Sequence, residues 1–190
     1  MNKRLVLTLA LVATLGLAAK FALSDDEYAE GEHHGWRGVF TPTADVAAVK
    51  NPTYRDECGS CHMAYPPGLL PARSWLGILN GLGDHFGDNA ELDPQTLATL
   101  TEYLLANSAD QADYRRSRKI MRSLEQGAAP LRISEVPYIR YKHDELPQAI
   151  ITANPKVRSL SNCNACHQHA EQGSFREGDI LIPGHGRWDD

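Results

Sequence analysis

Apolar residues along this chain recur with helical spacing in several stretches, and proline and glycine break up the segments between them. Trp75, Ile78, Leu79, Leu82, His85 and Phe86 fall at i, i+3, i+4, i+7, i+10 and i+11, one face of a helix that Gly87 can end. Gly77, Gly81 and Gly83 weaken that helix and permit close approach of a flat group. Leu97, Leu100 and Leu104 mark a second face, opened by Asp93-Pro94 and ended at Asn107 or Ser108. Val136, Ile139, His143 and Leu146 mark a third, after the break at Gly127-Ala128-Ala129-Pro130, and Pro147 closes it. Asn51-Pro52 predicts a helix running into Cys58, and Asn154-Pro155 predicts the same before Cys163. Tyr65-Pro66-Pro67-Gly68-Leu69-Leu70-Pro71 forbids helix and reads as an extended apolar loop. The 23 residues after His167 read as loop, with a short extended piece at Ile180–Ile182. The pattern predicts a mainly α protein.

The N-terminus adds a leader. Met1-Asn2-Lys3-Arg4 is followed by an uncharged run from Leu5 to Ala19, the form of a secretory signal peptide over residues 1–24. Lys20 interrupts a run already shorter than the roughly 20 residues a spanning helix needs, so an uncleaved anchor is the lesser alternative. Residues 25–41 are polar and read as an entry segment, and residues 108–113 form a candidate boundary between two parts, 25–109 and 110–190. Removing the leader takes away Lys3, Arg4 and Lys20 and no carboxylate, so the formal charge moves from −5 to −8. That balance excludes nucleic acid as a partner and favours steered docking onto basic proteins. Against it stands one basic cluster, Arg115, Arg116, Arg118, Lys119 and Arg122, read as a solvated helix face or as a site for anionic groups.

All four cysteines fall in two motifs, Cys58-Gly59-Ser60-Cys61-His62 and Cys163-Asn164-Ala165-Cys166-His167. Each is C-x-x-C-H, the attachment signature of c-type haem. Cys58 with Cys61, and Cys163 with Cys166, can reach the vinyl groups of one porphyrin each. His62 and His167 then sit beneath the two irons as proximal ligands. A zinc site built from both pairs is disfavoured, because 101 residues separate Cys61 from Cys163. Export fits this cofactor, since c-type haem is attached outside the bacterial cytoplasm.

Six-coordinate iron needs a second axial donor, and imidazole is a common one. The two histidines on apolar stripes supply it: His85 for the first haem and His143 for the second. His33 and His34 lie in the entry segment, His169 is too close to His167, and His185 sits between glycines.

Residues 57–75, from Glu57 to Trp75, with Asp84-His85-Phe86-Gly87, the second C-x-x-C-H and Ala170-x-x-Gly173-x-Phe175, resemble the dihaem cytochrome c family of exported bacterial electron-transfer proteins. The resemblance spans roughly residues 40–185. It implies an N-terminal domain (25–109) with the class I cytochrome c fold and a smaller, loop-rich C-terminal haem domain (110–190). It also implies two covalent haem c groups, bis-histidine ligation, and exchange of electrons with other cytochromes. Among that family's partners are an oxygen-binding monohaem c-type cytochrome and membrane b-type cytochromes.

The sequence thus predicts a periplasmic electron carrier, not an enzyme, with membrane contact only if the leader is retained. The alternative is a dihaem peroxidase-like enzyme or a binder of a diatomic gas, either of which needs one open iron position.

Overall fold

A computed structural model describes residues 44–188, so the predicted leader and entry segment lie outside the described residues. The described residues all fall within one compact unit. Among the described residues six helices, α1 (Pro52–Cys58), α2 (Ala72–Asn80), α3 (Pro94–Ala106), α4 (Arg115–Ser123), α5 (Pro137–Tyr141) and α6 (Gln148–Ile151), precede a two-stranded hairpin, β1 (Leu181–Ile182) with β2 (Gly186–Arg187). Short 3₁₀ turns link them, and the protein is mainly α. No helix among the described residues is long and apolar enough to cross a membrane.

Caps set the helix starts. The Asn51 side chain accepts a hydrogen bond from the Tyr54 amide at 2.9 Å and opens α1. The Asp93 carboxylate accepts from the Gln95 and Thr96 amides and opens α3. α3 packs against both α1 and α2, and α4 packs on the 65–71 loop and on α5.

That loop is buried and yet has almost no backbone ladder of its own, so its carbonyls must find side chains. The hydroxyl of Tyr54 donates to the Tyr65 carbonyl at 2.8 Å. The Trp75 indole donates to Pro67 at 2.8 Å, and the Ser117 hydroxyl to Gly68 at 2.8 Å. Left without a donor, the Tyr65 and Gly68 carbonyls would each cost about 1–3 kcal/mol, while Pro67 also accepts the Leu70 amide. Three helices are thereby locked to one stretch.

The core crosses the 109/110 position: Tyr54, Leu69, Leu70, Trp75, Leu100 and Leu104 pack with Ile120, Val136 and Phe175 in one cluster. A stitch between the two ends of the described chain completes it. Gly173 accepts from the amides of Asp45 and Val46, and Phe175 donates its amide to the Asp45 carboxylate at 2.9 Å.

Three predicted helices differ, one of them because α5 ends at Tyr141 and the stripe from Val136 to Leu146 continues in turns through His143. The stripe from Trp75 to Phe86 does not stay on one helix: α2 ends at Asn80, a 3₁₀ turn spans Leu82–Asp84, and His85 begins a tight turn. The glycines at 77, 81 and 83 leave too little helix propensity to carry the last turn. Asn154-Pro155 opens only a single turn. The Asn154 side chain accepts from Lys156 and donates to Pro183, Asn162 takes the Val157 carbonyl, and Arg158 adopts φ +65°, outside helical geometry.

Candidate haem sites

The first site is built on the end of α1. Cys58 is the last residue of that helix, and the Gly59 amide closes it on the Arg55 carbonyl. A Cβ at 59 would stand 2.1 Å from that carbonyl oxygen, so a side chain after Cys58 would force this turn to shift. The chain then turns through Cys61 to His62. A carbonyl only accepts, so the 2.8 Å contact of His62 Nδ1 with the Met63 oxygen fixes the hydrogen on Nδ1 and leaves the Nε2 lone pair free to bind a metal.

Opposite it stands His85. The two ring centroids are 6.3 Å apart with planes at 29°. His85 is held by a two-residue turn whose amides pair it with Asp88 in both directions, at 2.7 and 3.3 Å. Phe86, inside that turn, sits at φ +60°, a strained conformation for a bulky side chain. Its ring lies 4.9 Å from His85 on one side, and the Arg132 guanidinium lies 3.8 Å from its centroid on the other. Burial lowers the pKa of His85, with His62 and Arg132 adding to the shift, so neutral imidazole is favoured.

The second site has the same parts on different supports. Cys163–Ala165 forms a 3₁₀ turn, and His167 pairs with Ile180 beside the hairpin. His143 follows the end of α5, and its Nδ1 donates to the Ile139 carbonyl at 2.7 Å, again leaving Nε2 free. The His143 and His167 centroids are 6.0 Å apart with planes at 76°. Burial, reinforced by His143 and then by Arg116, pushes the His167 pKa down to about 4, and the ring is neutral. Its Nδ1 is buried and has no hydrogen-bond partner among the described residues.

Around this pair lies a cavity. Ile150, Ile151, Val157 and Ile182 are all buried, yet they stand outside the main core and form the cavity's apolar wall. Arg116 reaches it from α4. Thus the predicted basic cluster divides: Arg115, Arg118, Lys119 and Arg122 are exposed, whereas Arg116 is only 11% exposed and pairs with Asp45.

The four thiols form no disulfide. Burial pushes Cys58 and Cys163 up to about 11 and raises Cys166 as well. Among the described residues no three His, Cys, Asp or Glu gather as a metal cluster, which leaves a shared zinc site without its ligands. A bis-imidazole haem holds its two rings on opposite faces of one iron. A metal–imidazole bond is about 2 Å and the ring centre lies roughly 1 Å further, so opposed ligands have centroids about 6 Å apart. Both histidine pairs have that separation. The residues present fit the group.

Comparison with known proteins decides the family. The family model for dihaem cytochrome c matches residues 54–175, most of the chain. The chain belongs to the dihaem cytochrome c family. Family membership implies two haem c groups and haem-based electron transfer, and the four cysteines are consistent with covalent attachment. This dihaem cytochrome c is similar to the solved diheme cytochrome c of Shewanella baltica OS155, with 45% identity over 73% of this chain and 98% of that one, TM-score 0.62. It is likewise similar to two structures from Rhodobacter sphaeroides. One is a diheme cytochrome c with 45% identity over 68% of this chain and 100% of that one, TM-score 0.61. The other has 44% identity over 67% and 99%, TM-score 0.53. No curated protein matches the chain.

Several residues around the sites carried no sequence signal. Tyr65 lies in a proline-rich loop without periodicity, yet its ring stacks on His62 with centroids 4.7 Å apart at 23°. Its hydroxyl donates to the Ser161 carbonyl at 2.5 Å, 96 positions away. Burial, with Cys163 nearby, pushes the Tyr65 pKa up to about 12, so the hydroxyl stays protonated. Phe175 packs edge-on against His167 at 5.3 Å, and only the resemblance drew attention to it.

Proposed function

We propose that this protein is an electron carrier in which each of two haems is held by two thioethers and two imidazoles. Cys58 and Cys61 hold the first and Cys163 and Cys166 the second; His62 with His85, and His167 with His143, are the axial pairs. The single observation that carries this reading is the spacing of the two imidazole pairs, 6.3 and 6.0 Å. Bound haem supplies one-electron iron chemistry. The chain's own residues do the rest. His62 and His143 are oriented by carbonyl hydrogen bonds that keep Nε2 free to coordinate. The buried isoleucines and Val157 exclude water from the second site. With both axial positions filled, a substrate has no route to iron, which supports a carrier over a peroxidase-like enzyme or gas binder. The sites fall within residues 25–109 and 110–190.

The leader supports export to the periplasm, with other redox proteins as partners: a monohaem c-type cytochrome or a membrane b-type cytochrome. The test is a carbon monoxide spectrum of the reduced protein together with haem counting after denaturation. Two retained haems and no carbon monoxide complex at neutral pH are expected. Fast carbon monoxide binding at one haem would move the reading to an open-site enzyme or gas binder.

A further inference from the structure

The second site holds its proximal histidine differently from the first. His62 and His143 are each oriented by a carbonyl that accepts from Nδ1, at 2.8 and 2.7 Å. The Nδ1 of His167 is buried and has no such acceptor among the described residues. What meets this ring instead is Phe175, edge-on, with centroids 5.3 Å apart and planes at 61°. Phe175 is itself gripped on both sides of its backbone. Its amide donates to the Asp45 carboxylate at 2.9 Å, and its carbonyl accepts from Arg116 at 2.8 Å. Asp45 and Arg116 pair with each other at 3.3 Å, and the guanidinium lies 5.5 Å from the centre of the Phe175 ring. A guanidinium presents several donors in a rigid fork, so one side chain serves the carboxylate and the carbonyl together.

We propose that Phe175, gripped by Asp45 and Arg116, is the positioning residue of His167: its ring takes the place of a hydrogen bond, sets the plane of the imidazole and keeps Nδ1 dry. The inference rests on the ligand assignment proposed above. With Nε2 on iron, Nδ1 carries the hydrogen. A hydrogen bond from that group makes an imidazole a stronger donor to the metal, which favours ferric iron. An apolar edge against the ring withholds the bond and excludes water, and both effects favour the less charged ferrous state. The two sites therefore differ in how their proximal ligands are tuned. His62 donates to Met63 beside it in sequence, whereas His167 depends on a clamp whose other half, Asp45, is 130 positions from Phe175.

The test uses the full protein with both haems and takes two readings for each haem: the electron paramagnetic resonance signal of the oxidised protein and the midpoint potential. Phe175→Leu removes the ring from His167. Arg116→Lys keeps the charge opposite Asp45 but loses the fork that holds the Phe175 carbonyl. Gly127→Ala is the control for general loosening, because it strains a positive-φ backbone where a Cβ meets nothing within 4 Å. In Phe175→Leu the signal of the second haem should shift and its potential should fall, with the first haem unchanged. Arg116→Lys should shift both readings the same way by less, and Gly127→Ala should match the wild type. A second haem that keeps the wild-type signal or the wild-type potential in Phe175→Leu overturns the proposal, as do equal shifts at both haems or the same shift in Gly127→Ala. If Phe175→Leu does not fold, Arg116→Lys decides alone on the same two readings. A wild-type protein that is not low-spin at the second iron overturns the ligand assignment, and this positioning role with it.

Discussion

Asp45 and Arg116 stand 71 positions apart in sequence and pair at 3.3 Å, 8% and 11% exposed. The pair is the centre of a small network. Arg116 also donates to the Phe175 carbonyl at 2.8 Å, and its guanidinium lies 5.8 Å from the Tyr138 ring centroid and 5.5 Å from that of Phe175. Removing one member of a buried pair leaves the other charge unmatched, at about 3–5 kcal/mol. Asp45→Asn keeps an oxygen for the Phe175 amide and removes only the charge, so it isolates the ion pair. It should lower the unfolding free energy by about 3 kcal/mol. Denaturant unfolding checks this, and a loss below the roughly 1 kcal/mol of a surface pair would remove the pair from any structural role.

The angles between opposed imidazoles, 29° at the first site and 76° at the second, should make the two irons magnetically different. Near-parallel axial planes give ferric low-spin haem a rhombic electron paramagnetic resonance signal. Near-perpendicular planes give one strongly anisotropic low-field feature. The oxidised protein should display both in equal amounts. Two identical rhombic signals would contradict the second-site geometry.

His85→Ala should open the first iron alone. The variant should gain a high-spin, carbon monoxide-binding haem and keep one low-spin haem, and His143→Ala should do the reverse. Added free imidazole should restore the low-spin spectrum in each, a rescue that separates a lost ligand from a misfolded chain. Retention of two low-spin haems after either substitution, with no other imidazole recruited, would remove that residue from the ligand set.

Gly173 and Gly127 form a matched pair for a stability test. Both have positive φ, +79° and +80°, but a Cβ at 173 would stand 2.2 Å from the Val46 carbonyl, whereas one at 127 meets nothing within 4 Å. Alanine at either position bears the left-handed backbone cost of roughly 1–2 kcal/mol. Gly173→Ala should lose clearly more, because the stitch to Asp45 and Val46 must open. Equal losses by thermal unfolding would mean that the stitch gives way freely.

The legible parts of the structure were local. Asn51 and Asp93 announced two helix starts, because a capping side chain acts within three residues of itself. The C-x-x-C-H spacing pointed to covalent attachment for the same reason, and membership of the dihaem family is consistent with it. The apolar stripes led to His85 and His143 although neither lies on a helix: burial periodicity survives where glycine or a chain turn ends the hydrogen-bond ladder. Asp45, Tyr65 and the division of the basic cluster were not legible. Their roles depend on partners 71, 96 and 130 positions away, and nothing in a window of neighbours encodes such a meeting. Arg116 differs from Arg115 only in the face of α4 it occupies.

The join of Asp45 and Val46 to Gly173 and Phe175 also imposes an order on assembly. Its partners lie up to 130 positions apart, so it closes only when both ends of the described chain have come together. Until then Phe175, which packs on His167, is not tied down, and the second site stays less enclosed than in the finished fold. An enzyme that must reach a thiol and a vinyl group at once works best on a chain in that state. Once the ends meet, attachment at the second site would require that join to reopen.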